Sequence, residues 1–115
     1  MKYTVERAGA AGRDLDAIFD FLIESYAAFG EDTQTAIDRA ADRLQQIHTT
    51  MQSLGDAPHQ GTLMPQLLPG LRSVTRDRAI FYFSVDDSKR VVRVLAVFFG
   101  GQDHQRRMLK RLLGG

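Results

Sequence analysis

The chain contains no cysteine, which excludes disulfides, thiolate nucleophiles and every Cys-ligated zinc or iron–sulfur centre together. A reducing cytosol suits such a composition. No apolar run approaches the ~20 residues that span a bilayer. The longest, Val91 to Phe99, is interrupted by Arg93. The opening Met1-Lys2-Tyr3-Thr4-Val5-Glu6 lacks the apolar stretch of a secretory signal, so a soluble cytoplasmic protein is expected. Proline is scarce, and all three residues (Pro58, Pro65, Pro69) fall between Gly55 and Gly70. The glycines form neither a G-x-G-x-x-G nor a GK[ST] phosphate motif, and Gly9-Ala10-Ala11-Gly12 reads as a turn. The three histidines, His48, His59 and His104, show no ligand-like spacing, so neither metal nor cofactor is expected.

What is present is an ordinary globular composition, 43% hydrophobic and 25% charged over 115 residues, enough for one domain spanning 1–115 and one core. The net charge of +1 conceals a division. Residues 1–70 carry 5 basic and 10 acidic side chains, net −5, whereas residues 71–115 carry 10 and 4, net +6. Such asymmetry suggests a basic working surface that faces a polyanion or an acidic partner.

Hydrophobic periodicity supplies the elements. Residues 1–6 read as a short strand with Tyr3 and Val5 on one face, followed by a break at Gly9–Gly12. Asp14 is the expected N-cap of a helix carrying Leu15, Ile18, Phe19, Leu22, Tyr26 and Phe29 at three- and four-residue steps, stopped by Gly30. Asp32 or Thr33 caps a second helix with Ile37, Ala40, Ala41, Leu44, Ile47, Met51 and Leu54, ending at Gly55. The short link around Gly30 makes the two an antiparallel hairpin. The Pro-rich stretch 55–70 reads as a surface connection. Leu71–Thr75, Ala79–Val85 and Arg90–Phe99 then read as an antiparallel meander, with Asp86-Asp87-Ser88-Lys89 as a hairpin loop. Alternation places Ala79, Phe81, Phe83 and Val85 against the helices. It groups Val92, Val94, Ala96 and Phe98 on one face of the last strand and Arg93, Leu95, Val97 and Phe99 on the other. Both faces are largely apolar, so this strand is expected to be central. After Gly100-Gly101, Asp103 caps a short basic helix that docks through Met108, Leu109 and Leu112.

The i,i+4 carboxylate pairs Asp16/Asp20 and Asp38/Asp42 lie off the apolar stripes and read as solvated. The chemistry therefore rests on arginines, whose planar donor forks suit phosphates or a carboxylate-rich protein surface. Arg72, Arg76, Arg93, Arg106, Arg107 and Arg111 are read as one continuous target-binding surface, with Arg111 partly free. Tyr26 and Phe29, near the hairpin turn and beside a sheet with a free edge, are the expected contacts for the amphipathic helix and extended segment of a protein partner.

The order strand, helical hairpin, Pro-rich crossover, antiparallel meander and basic tail resembles the RelE/ParE superfamily of type II toxin–antitoxin toxins over essentially the whole chain. Leu68-Pro69-Gly70-Leu71-Arg72-Ser73-Val74 resembles the segment entering the family's first meander strand, and Ala79-Ile80-Phe81-Tyr82 its aromatic second strand. The stretch from Val94 through Phe98-Phe99-Gly100-Gly101-Gln102-Asp103-His104-Gln105-Arg106-Arg107 to Leu109 resembles a ParE-type ending.

The resemblance implies an α+β fold, a cognate and partly disordered antitoxin (ParD-like or related), and a toxin–antitoxin hetero-oligomer. It also implies a target. The leading expectation is a ParE-like inhibitor of DNA gyrase with no catalytic residues; the alternative is a RelE-like ribosome-dependent mRNA endonuclease. RNA cleavage by 2′-hydroxyl attack needs a base, an acid and cationic stabilisation, which here fall to Arg72, Arg78, Tyr82 and His104. The last strand, however, ends in Phe98-Phe99, and phenylalanine transfers no proton. A non-toxic interaction module is the third reading.

Overall fold

A computed structural model describes residues 2–100 and 103–114. Gly101 and Gln102, part of the ParE-type ending, lie outside the described residues.

Strand β1 (Thr4–Arg7) passes through a single residue, Ala8, into helix α1 (Gly9–Ala28). The turn expected at Gly9–Gly12 is instead the first turn of α1. The Ala8 N–H donates to the Val94 carbonyl at 2.8 Å, while its own carbonyl accepts from Ala11 and Gly12, so the chain coils directly off the sheet. Ala8 thus occupies the N-cap without a side-chain bond, and Asp14, the expected cap, is free for another task. Gly30, at φ +96°, supplies the left-handed turn that ends the first arm of the hairpin. Asp32 caps α2 (Thr33–Gln52), accepting the Thr35 N–H at 2.7 Å. The helix ends earlier than expected, and Ser53–Asp56 continue as a 3₁₀ turn with Leu54 buried.

The sheet holds five strands, not three, in the order β1-β5-β4-β3-β2. Strands β3 (Arg72–Arg76), β4 (Ala79–Asp86) and β5 (Val91–Phe99) form the expected meander. Strand β2 (Thr62–Leu63), inside the stretch read as a surface connection, pairs with β3; two residues are too short to show alternation. Strand β1 pairs parallel with β5, which makes β5 interior for its first half. Between β3 and β4, Asp77 and Arg78 both take positive φ (53° and 67°), a mirror-image two-residue turn without the usual glycine.

The helical hairpin covers one face of the sheet. Leu15, Ile18, Leu22, Ile47 and Met51 pack on Ala79, Phe81 and Phe83 as the alternation requires. In β5 the expected grouping fails halfway: Val92 and Val94 face the helices, but so do Val97 and Phe99, while Ala96 and Phe98 face away. The cause is a β-bulge. Phe83 pairs with Val94 and Tyr82 with Ala96, leaving Leu95 as an extra residue that reverses the alternation beyond it. The opposite face is covered at one end by α3 (His104–Leu112), whose Met108 is buried on Ile80, Tyr82, Ala96 and Phe98. Leu112 is partly buried beside it, but Leu109, expected to dock, is 42% exposed.

Candidate functional site

The candidate site is the ledge that α3 forms on the outer sheet face. Its floor is aromatic. Tyr82 is fully buried and stacks edge-on to Phe98 with centroids 6.0 Å apart, and its hydroxyl is 2.7 Å from His104 Nδ1. Burial pushes the Tyr82 phenol above its ordinary value of 10.0. The reversal of alternation at Leu95 is what turns Phe98 toward this side, where the guanidiniums of Arg107 and Arg111 lie over its ring at 4.4 and 5.2 Å.

Arg111 is the best-anchored cation. It grips both carboxylate oxygens of Asp14 on α1, at 2.6 and 2.7 Å, and this hydrogen-bonded carboxylate raises its already high pKa. The same Asp14 accepts the Val97 N–H at 2.9 Å, just beyond the end of β1. Arg111 is therefore a clamp between α3, α1 and β5, not the partly free target contact expected of it. Arg106 and Arg107 remain exposed on the same helix; Arg106 has a loose ion pair with Asp103 at 3.7 Å.

The remaining expected residues separate. Cross-strand pairs share a face, and Arg72 and Arg76 sit opposite Phe83 and Ala79, so both point to the helical side of the sheet. There Arg72 donates to the His59 carbonyl at 2.8 Å and Arg76 to Gln60 Oε1 at 3.1 Å, tying down the loop before β2. Arg93, opposite Ser84, lies on the outer face near the start of β5. The continuous surface expected from the sequence is thus divided, with Arg93, Arg106 and Arg107 on the outer side and Arg72 and Arg76 behind. Arg78 sits in the β3–β4 turn with its guanidinium 5.7 Å from the Phe99 ring centre.

At the hairpin tip Phe29 is 89% exposed, and Tyr26 lies under Arg39 at 4.4 Å, the latter also paired with Glu31. These two residues do stand together near the turn.

Sequence reasoning missed a second aromatic–cationic group at the end of the sheet. Arg43 of α2 lies 5.6 Å from the centre of the Phe99 ring, which meets Phe21 of α1 at 6.2 Å; Phe21, Val97, Phe99, Asp14 and Arg107 line a groove of about 310 Å³. The adjacent Phe98-Phe99 was its only signal, since neighbouring strand residues put one ring on each face. Among the described residues no cluster of His, Asp or Glu is arranged to hold a metal ion, and no helix is long and apolar enough to cross a membrane.

No family model and no curated protein matches the sequence. Solved structures do match its fold. A chain of the chromosomal ParDE TA system from P. aeruginosa is 21% identical, superposes with a TM-score of 0.64, and the match covers 85% of this chain and 96% of that one. A chain of the Mycobacterium tuberculosis toxin–antitoxin complex RelBE2 is 19% identical with a TM-score of 0.61, covering 89% and 95%. A mutant of E. coli toxin RelE in the free state gives 12%, 0.60, 96% and 97%. The chain has the RelE/ParE fold over nearly its whole length.

Proposed function

We propose that this chain is the toxin of a type II toxin–antitoxin pair, acting by binding DNA gyrase, and that a partly disordered cognate antitoxin neutralises it in a hetero-oligomer. The observation that favours binding over catalysis is Tyr82. It is fully buried, its hydroxyl is engaged by His104, and burial raises its pKa, so it is shielded from any external substrate. The strand end that follows offers Phe98 and Phe99, side chains that move no proton. What α3 presents to a target is charge, in Arg106, Arg107 and Lys110. Tyr26 and Phe29 at the hairpin tip are the proposed antitoxin contacts.

The competing endonuclease reading draws support from the RelE and RelBE2 chains, which superpose almost as well as the ParDE chain. One experiment separates the two: the purified protein is tested in a gyrase supercoiling assay beside a ribosome-dependent mRNA cleavage assay. Inhibited supercoiling that is lost in Arg106→Ala/Arg107→Ala supports the proposal. Ribosome-dependent cleavage that is lost on His104→Ala overturns it, and activity in neither assay, without growth inhibition on expression, favours a non-toxic module.

A further inference from the structure

The charge that α3 presents has an apolar neighbour. Arg107 stands at one side of a cleft of about 310 Å³, whose other walls are Ala17 and Phe21 of α1 and Phe98, Phe99 and Gly100 at the end of β5. Phe21 is 54% exposed there and meets the Phe99 ring at 6.2 Å. A cavity of roughly 150 Å³ holds a benzene ring. The cleft therefore has room for one aromatic or branched aliphatic side chain entering from outside.

Cations gather on the same rings. Arg107 lies over Phe98 at 4.4 Å, while Arg78 and Arg43 approach the centre of Phe99 at 5.7 and 5.6 Å. The Gly100 N–H donates to the Arg78 carbonyl at 3.2 Å, which joins the β3–β4 turn to the cleft wall. Among the described residues none of these three guanidiniums forms an ion pair. Asp14, the carboxylate that lines the cleft, is already held by Arg111 and the Val97 N–H. The rings restrain the arginines in place, so less side-chain freedom is lost when an anion arrives. Aromatic rings and arginines about a concave apolar site are the composition of an interface hot spot.

The surrounding charge selects a protein segment over a nucleic acid. Asp16 and Asp20 stand beside Ala17 and Phe21 on α1, and neither forms an ion pair among the described residues. A phosphate backbone is charged at every step and would meet them. A peptide can turn carboxylates toward Arg78 and Arg107 and neutral groups toward α1.

We propose that the target docks by inserting an aromatic or branched aliphatic side chain into this cleft, with carboxylates beside it on Arg78 and Arg107. The inference rests on the reading of the chain as a gyrase-binding toxin, and it adds Phe21, Phe99 and Arg78 to the contact made by α3.

The test is surface plasmon resonance of the purified full chain on immobilised DNA gyrase, with a single-stranded oligothymidylate on a second channel. Circular dichroism and thermal melting confirm the fold of each variant. Phe21→Ser removes the exposed ring, Phe21→Leu keeps an apolar wall, and Arg78→Asn keeps a residue type that tolerates the φ of 67° found there. Phe21→Ser and Arg78→Asn are each expected to weaken gyrase binding by about tenfold or more, and Phe21→Leu to retain most of it. Folded variants that bind gyrase as the wild type does overturn this inference and leave the proposed function standing. A wild type that does not bind gyrase overturns both. Binding to the oligothymidylate that is lost in Phe21→Ser assigns the cleft to a nucleic acid and overturns the inference as well.

Discussion

Arg111 and Asp14, 97 positions apart, meet in a two-bonded ion pair whose carboxylate also takes the N–H of Val97. This one contact joins the basic tail to the helical hairpin and to the second half of β5. It also explains how a nine-residue helix, too short to persist alone, is held in place. Met108 supplies the apolar half of that attachment and Asp14 the polar half.

Asp14→Ala is accordingly expected to destabilise the protein by about 1–3 kcal/mol, because it leaves the Val97 N–H and a partly buried guanidinium without their acceptor. Arg111→Ala loses the clamp and the contact with Phe98. A double-mutant cycle read by urea unfolding checks this: the two losses are expected to be less than additive, and strict additivity would show that the residues do not cooperate.

The hairpin, the three meander strands and the inward set Ala79, Phe81, Phe83 were legible in the sequence because each is long enough to show its period. What escaped was decided by single residues or by tertiary pairing. The bulge at Leu95 leaves no mark in a strand apolar on both faces, yet it exchanges the sides of Ala96 and Val97 and sends Phe98 outward to the arginines. Asp14 has the chemistry of an N-cap, and only the one-residue link at Ala8 shows that the helix had already begun. The expected cationic surface divided because Arg72 and Arg76 share the parity of Val74, which faces the helices.

Acid is expected to destabilise the fold through three specific carboxylates. Asp32 is held below its ordinary pKa of 3.8 by the Thr35 N–H, Asp86 by the Ser88 hydroxyl and Lys89 N–H, and Asp87 by the Tyr3 hydroxyl and His59. Below 3.8 the unfolded chain binds protons that the folded chain still resists, so their contribution is intact above that pH and fades as pH falls through the depressed folded values. Urea midpoints measured across this range check the sign. Asp32→Asn, which keeps the capping oxygen, is expected to flatten part of the slope; an unchanged slope would remove Asp32 from the account.

At the alkaline end the sign reverses. Tyr82 favours its neutral form in the fold, so between 10.0 and its raised folded value the folded chain holds the proton more tightly and stability falls as pH rises. Tyr82→Phe removes that dependence at a cost of about 0.5–1.5 kcal/mol for the bond to His104. Under the gyrase reading this variant keeps growth inhibition. Its loss in a protein that still melts cooperatively would point to proton transfer at Tyr82.

Gly55 tests how β1 is held. A Cβ there would stand 2.2 Å from the Tyr3 carbonyl oxygen and 3.2 Å from Val5 Cγ2, while the Gly55 carbonyl accepts the Tyr3 N–H at 2.9 Å. The nearest obstacle is backbone, not the flexible end of a side chain, so relief requires β1 to move away from the 3₁₀ turn. Gly55→Ala is expected to cost about 1–3 kcal/mol by overpacking. The strain falls on an edge strand of four residues whose other attachment is its parallel pairing with β5, so the response is expected to be local. Amide exchange provides the measurement: Thr4 and the rest of β1 lose protection in the variant while β4 and the interior of β5 keep theirs. Equal loss along every strand would mean that the 3₁₀ turn supports the whole sheet and not this edge alone.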